Sequence, residues 1–290
     1  MKRVRRTRNK QQIELENLTT EQSNPRSRQL DRLTTKKLLL VINREDSRVS
    51  KAVFKAISKI ELVVEAIVTR LSRGGRLFYI GAGTSGRLGC LDASEMPPTY
   101  GVSSALVQGI IAGGSVALRR SIEGAEDNGP AGVADIRRRK ISRKDVVVGL
   151  SASGRARYVR EALLEARRLG AFTACITCNR NSALIPCCET AILAETGPEV
   201  VTGSTRMKAG TAQKMILNMI STAAMVRLGR VKGNRMVDLQ IKCEKLRDRA
   251  RNLVMEETGA SASMALKALK TSGGSARAAI AALNHQALQQ

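Results

Sequence analysis

Apolar positions change period several times along the chain, and each change marks a different kind of element. From Ile13 to about Ser47 the pattern is polar and mixed, with turn signals at Ser23-Asn24-Pro25 and Asn43-Arg-Glu-Asp46. Phe54, Ile57, Ile60, Val64, Ile67 and Leu71 then recur in steps of three and four, which draws one apolar face of a helix. Gly74-Gly75 ends it. Beyond this point short apolar runs alternate with helical periods. Arg76–Ile80 predicts a strand leading into a glycine-rich turn, Ala105–Ala112 a second strand, and Ser115 onward a helix. Asp145–Leu150 predicts a third strand, followed by a helix over Tyr158–Leu169, and Phe172–Cys178 and Thr190–Ala194 complete five. Strands separated by helices imply an α/β fold, a doubly wound parallel sheet flanked by helices. After about Thr205 the period is helical throughout, closing with Ala-rich helices near Ser261–Leu269 and Ala276–Leu283. The expected organisation is a basic extension (1–12), an α/β domain with a helical lead-in (13–232) and a helical C-terminal region (233–290).

Composition narrows the class. The 290 residues are 43% hydrophobic, enough to bury a core and too many for general disorder. Apolar runs fall well short of the ~20 residues that span a bilayer. The opening MKRVRRTRNK is basic but has no apolar segment behind it, so a cytoplasmic location is expected and no membrane partner. Lysine and arginine number 49 against 25 acidic residues, a net charge of +24. Such a field attracts anions, phosphorylated substrates among them. The charge is spread along the whole chain and aromatics make up 2%, so stacking platforms are scarce. A nucleic-acid partner is not expected.

Two loops carry the candidate chemistry, both where predicted strands end, which is where open α/β sheets bind ligands. The first contains Gly83, Thr84, Ser85, Gly86 and Arg87; the second contains Ser151, Ser153, Gly154 and Arg155. Glycines let the backbone approach an anion, and hydroxyls with backbone N–H groups suit a compact phosphate monoester. The first loop also matches G-x-G-x-x-G. A dinucleotide would need an acidic residue ending the next strand, whereas that strand ends Ile110-Ile-Ala-Gly-Gly114. A lone serine-rich turn reads as a helix cap; two on neighbouring strands read as a phosphate site.

The single histidine, His285, lies far from these loops in a terminal helix, so proton transfer falls to carboxylates or lysine. Glu95 lies just before Pro97-Pro98, which are expected to end any helix there, and Glu126 follows the second strand. Six cysteines are present. Cys175-x-x-Cys178 with Cys187-Cys188 offers a four-thiolate zinc reading, but a strand turns Cys175 and Cys178 to opposite faces. They read as buried free thiols, and no metal is expected there.

At these residues the sequence resembles the N-acetylmuramic acid 6-phosphate etherase family, built on the sugar isomerase domain. The matching runs are Gly81–Gly89, Leu91-Asp-Ala-Ser-Glu95, Pro97–Gly101, Glu123-Gly-Ala-Glu-Asp127, Ser153-Gly-Arg155, Glu199–Lys214 and Met236-Val-Asp238, with Leu18–Pro25 and Ile42–Asp46 before them. The resemblance spans roughly residues 13 to 285 and implies cleavage of the lactyl ether of N-acetylmuramic acid 6-phosphate, without a cofactor. It implies Glu95 as general acid, Glu126 as the second carboxylate and base, and a homodimer. Where the family usually continues Ser-Gly-Arg-Thr-Pro-Tyr, this chain reads Ser153-Gly-Arg-Ala156-Arg157-Tyr158, and Cys243 stands where the family tends to have Asn. A phosphosugar-sensing regulator without catalysis is the alternative from another class.

Overall fold

The computed structural model describes residues 18–236 and 244–287. The basic extension 1–12, Asp238 and Cys243 lie outside the described residues. A strap comes first, three short 3-10 turns at Thr19–Glu21, Pro25–Ser27 and Leu30–Arg32. Helices α1 (Thr35–Asp46), α2 (Val49–Phe54) and α3 (Ile57–Leu71) follow. The core then runs β1 (Leu77–Gly81), α4 (Gly83–Tyr100), β2 (Val107–Ile111), α5 (Gly129–Arg138), β3 (Val146–Leu150), α6 (Arg157–Arg168), β4 (Phe172–Thr177), β5 (Thr190–Leu193) and α7 (Lys208–Arg227).

All five strands are parallel in the order β2-β1-β3-β4-β5, with Gly81 level with both Ile111 and Leu150. Strands buried on both faces read as continuous apolar runs, which is why Val146–Leu150 shows no alternation. Their side chains nonetheless divide by the pleat. Leu77, Tyr79, Val146, Val148 and Ile176 join the core beneath α3, α4 and α7. Phe78, Ile80, Val147 and Cys175 join the core beneath α5 and α6. Cys175 and Cys178 therefore sit in different cores, as the pleat requires. Each fully buried Leu, Ile or Val contributes about 1.5–3 kcal/mol. A short antiparallel hairpin, β6 (Val231–Lys232) with β7 (Arg235–Met236), interrupts the expected all-helical C-terminus. Helices α8 (Glu244–Thr258), α9 (Ala262–Thr271) and α10 (Ala276–Ala287) then enclose a small core of their own around Leu253, Leu269 and Ile280. Among the described residues no helix is long and apolar enough to cross a membrane.

Four further expectations are corrected. Asn43–Asp46 is not a turn but the last turn of α1, because Glu45 is drawn inward to a buried lysine. The helix expected from Phe54 is two helices, and Phe54 and Ile57 are exposed while Val63 takes a core position instead. Pro97 and Pro98 do not stop α4. They sit in its last turn, where Pro97 still offers its carbonyl, and the helix ends when Gly101 (φ +65) donates to it. Finally, Ser115 falls in a five-residue 3-10 turn, Gly114–Leu118, with the next α-helix starting only at Gly129.

Candidate active site

In the order β2-β1-β3-β4-β5 the chain reverses direction of winding between β1 and β3, the place where doubly wound sheets leave a crevice. Both candidate loops start there. Gly81 and Leu150 are register partners, so the residues that follow them leave the sheet about 4.8 Å apart.

The first loop is a very tight strand-to-helix turn. A Cβ on Gly86 would lie 2.7 Å from the Gly81 carbonyl oxygen, so only glycine lets α4 begin this close to β1. Gly83 has φ +53 and is exposed, with Thr84 and Arg87 half-buried beside it. The N–H groups of this first turn carry the positive end of an 18-residue helix. Ser85 is turned inward and its hydroxyl donates to Gln213 Oε1 of α7 at 2.8 Å. Gln213 lies in the same seam as the buried Asp92 of α4, where Ser221 donates to Oδ1 at 3.2 Å and the Lys214 ammonium stands 3.7 Å away. Burial pushes the Asp92 carboxyl above its ordinary value against the pull of Lys214.

The second loop is held by its own hydroxyls. Ser151 Oγ accepts from the Gly154 N–H at 3.1 Å and Ser153 Oγ from the Arg155 N–H at 3.3 Å. Each oxygen spends an acceptor site on the turn and keeps its own hydrogen to donate. Gly154 has φ +75, and a Cβ there would fall 2.0 Å from Ser182 Oγ. Ala156 begins α6 without a side-chain cap.

Glu126 belongs to this end of the sheet. Its 3-10 turn, Ala125–Asp127, packs against α6, and a Cβ on nearby Gly129 would lie 3.7 Å from the Arg157 carbonyl oxygen. Its carboxylate is exposed. Glu95 is also exposed but is not brought there: it lies twelve residues into α4, about 18 Å along the axis from Gly83. One chain thus unites both loops and the Glu126 turn, and leaves Glu95 at the other end of the helix.

Several residues that frame the crevice were not singled out from sequence. Glu199, fully buried, accepts from the N–H groups of Lys208 (3.0 Å) and Ala209 (2.9 Å), closing the start of α7. Burial raises the Glu199 carboxyl, and those two N–H bonds and the Lys208 charge oppose it. Lys208 Nζ, also fully buried, reaches Glu45 Oε2 at 2.7 Å. Burial would raise the Glu45 carboxyl too, but Arg26, Lys208 and Asn24 outweigh it and hold its pKa at about 2. Gly210 carries no Cβ where α7 passes Thr84 of the first loop. Glu45, Glu199, Lys208 and Gln213 all lie in the motif runs given for the family resemblance; Asn179, whose amide donates to the Ala152 and Ser153 carbonyls of the second loop, lies in none.

Comparison with known proteins bears on the family and the fold. Residues 59–166 match the model of the glucokinase regulatory protein N-terminal SIS (sugar isomerase) domain, and residues 134–223 match that of the SIS domain. The chain is 53% identical over 271 residues to the N-acetylmuramic acid 6-phosphate etherase of Symbiobacterium thermophilum, an alignment covering 93% of this chain and 90% of that one. It is 51% identical over 269 residues to the protein of the same name from Jannaschia sp., covering 93% and 85%. Among solved structures, the phosphoheptose isomerase of Francisella tularensis shares the fold at 14% identity, with a TM-score of 0.50 over 67% of this chain and 100% of that one. That of Neisseria gonorrhoeae does so at 15%, with a TM-score of 0.50 over 66% and 98%.

Proposed function

The chain belongs to the N-acetylmuramic acid 6-phosphate etherase family, and from that premise we propose that it is a carbon–oxygen lyase releasing D-lactate from N-acetylmuramic acid 6-phosphate. The observation that carries this reading is the pair of hydroxyl- and glycine-lined loops leaving adjacent strands at the switch point, with the Glu126 turn beside the second. Gly83, Thr84, Ser85, Gly86 and Arg87 on one side, and Ser151, Ser153, Gly154 and Arg155 on the other, hold the 6-phosphate: the first loop gives N–H groups, the second gives the Ser151 and Ser153 hydroxyls on a turn shaped by Gly154, and both give guanidinium charge. Ser85 does so through its backbone, since its hydroxyl is engaged with Gln213.

The chemistry follows from the open-chain sugar. Its C1 aldehyde acidifies the proton on C2. Glu126 removes that proton, the C3–oxygen bond breaks with its electron pair going to the departing lactate oxygen, and Glu95 supplies the proton that oxygen needs. Water then adds across the C2–C3 double bond: hydroxide at C3, a proton at C2. The products are N-acetylglucosamine 6-phosphate and D-lactate, and the sum consumes one water. Two carboxylates in opposite protonation states meet this requirement without a metal or redox group.

The distance from Glu95 to the loops of its own chain supports a homodimer in which a second copy presents its α4 to the crevice. In a twofold assembly each helix then serves one site with its first turn and the other with Glu95. Release of D-lactate by the purified chain, lost in Glu95→Gln and Glu126→Gln while affinity for N-acetylglucosamine 6-phosphate persists, is the expected result. Tight phosphosugar binding with no lactate from the wild type would instead make the chain a sensor.

A further inference from the structure

The second loop has a keystone outside it. Asn179, one residue beyond the Cys178 that continues β4, is 1% exposed, and its amide is surrounded by partners from two distant parts of the chain. Its Nδ2 donates to the carbonyl oxygens of Ala152 (3.2 Å) and Ser153 (3.3 Å) within the loop, and to Thr20 Oγ1 (3.0 Å) of the strap. Its Oδ1 accepts from Thr19 Oγ1 (2.6 Å) and from the Thr20 N–H (3.4 Å). Carbonyl oxygens cannot donate, so the amide has one sensible orientation, with nitrogen toward the loop and oxygen toward the strap. The Ala152 carbonyl has a second donor in the Cys178 N–H at 3.0 Å. The burden on Asn179 therefore falls mainly at Ser153, the half-buried residue whose hydroxyl keeps its own hydrogen to donate.

The strap is itself anchored. The Thr20 carbonyl accepts from the Gly203 N–H (3.2 Å), Asn24 donates to the Pro198 carbonyl (3.2 Å) and Ser27 to the Val200 carbonyl (2.7 Å). We propose that Asn179 is a positioning residue for phosphosugar binding, holding the Ser151–Arg155 loop through the docked Thr19–Thr20 strap. Affinity for the 6-phosphate then depends on residues that never touch it. The inference rests on the proposed function only in taking this loop as the phosphate cradle.

Three variants of the full chain test it. In Asn179→Asp an oxygen without a proton replaces the donor facing two carbonyls. Thr20→Val removes the strap hydroxyl at constant shape, and Thr20→Ser keeps it. Loss of one or two buried hydrogen bonds that set the loop predicts KM for N-acetylmuramic acid 6-phosphate raised about tenfold in the first two, with kcat within about threefold and Thr20→Ser like wild type. Calorimetric binding of N-acetylglucosamine 6-phosphate should weaken by the same factor. Merely structural damage would shrink the active fraction and lower kcat at unchanged KM; that result, or unchanged KM and affinity in folded Thr20→Val, overturns the inference. If Asn179→Asp does not fold, the Thr20 pair decides alone. Should the wild type release no lactate yet bind the phosphosugar, weaker binding by Thr20→Val upholds the inference while the etherase reading fails. Lactate release with KM and affinity untouched by the variants gives the reverse.

Discussion

Replacing Glu45 by Gln probes the buried lattice that fixes the Glu199–Lys208 segment at the edge of the crevice. The variant keeps the shape of the side chain and removes its charge, leaving the fully buried Lys208 ammonium without its counter-ion. Breaking a buried pair from one side costs about 3–5 kcal/mol. Proton linkage gives a similar figure: a carboxyl that titrates at 4.5 when free and at about 2 in the folded chain contributes about 3 kcal/mol at neutral pH. Because the folded value is the lower one, this stability is complete above pH 4.5 and drains away as pH falls toward 2. At pH 3 less than half of it survives, so the gap between wild type and variant should narrow by about 2 kcal/mol from pH 7 to pH 3. Equilibrium urea unfolding of both proteins at both pH values measures the gap, and carboxylates common to the two cancel in the difference. A gap below about 1 kcal/mol at pH 7, or one that does not narrow in acid, refutes the assignment.

Two further outcomes are expected. Gly154→Ala places a methyl on a φ of +75 and against Ser182 Oγ, and should cost at least about 2 kcal/mol in urea unfolding together with most of the affinity for N-acetylglucosamine 6-phosphate. Differently tagged Glu95→Gln and Glu126→Gln chains, each inactive, should form a mixed dimer with one intact site and about half the wild-type lactate release per dimer; a dead heterodimer would show that Glu95 serves its own chain.

The sheet was legible because buried parallel strands announce themselves as short apolar runs, and Val146–Leu150 or Leu77–Gly81 can be little else. The loops were legible for a related reason: glycines and hydroxyls placed directly after such runs have few structural uses. What stayed hidden depends on partners far away in sequence. Nothing local says that Glu45 faces inward, since its reason for doing so is a lysine 163 positions later. Asn179 likewise looks like an ordinary turn residue until residues 19, 20, 152 and 153 are seen around it. Prolines mislead in a different way, because the rule that they break helices applies to interiors, and Pro97 and Pro98 stand in a final turn that Gly101 closes. The separation of Glu95 from the loops follows from helix rise alone, once the helix is known to run unbroken from Gly83.

The strap also sets an order of events during synthesis. Its residues leave the ribosome first, yet the carbonyls they bind, at Pro198 and Val200, are more than 170 residues behind them. At the usual pace of translation the strap waits about 10–40 s before its docking surface exists. Until then the threonines that Asn179 holds are not fixed in place, and the second loop lacks its anchored outer support. The crevice is therefore among the last parts of the molecule to mature: a chain cut short before Pro198 holds the residues of all five strands and still has an unfinished site.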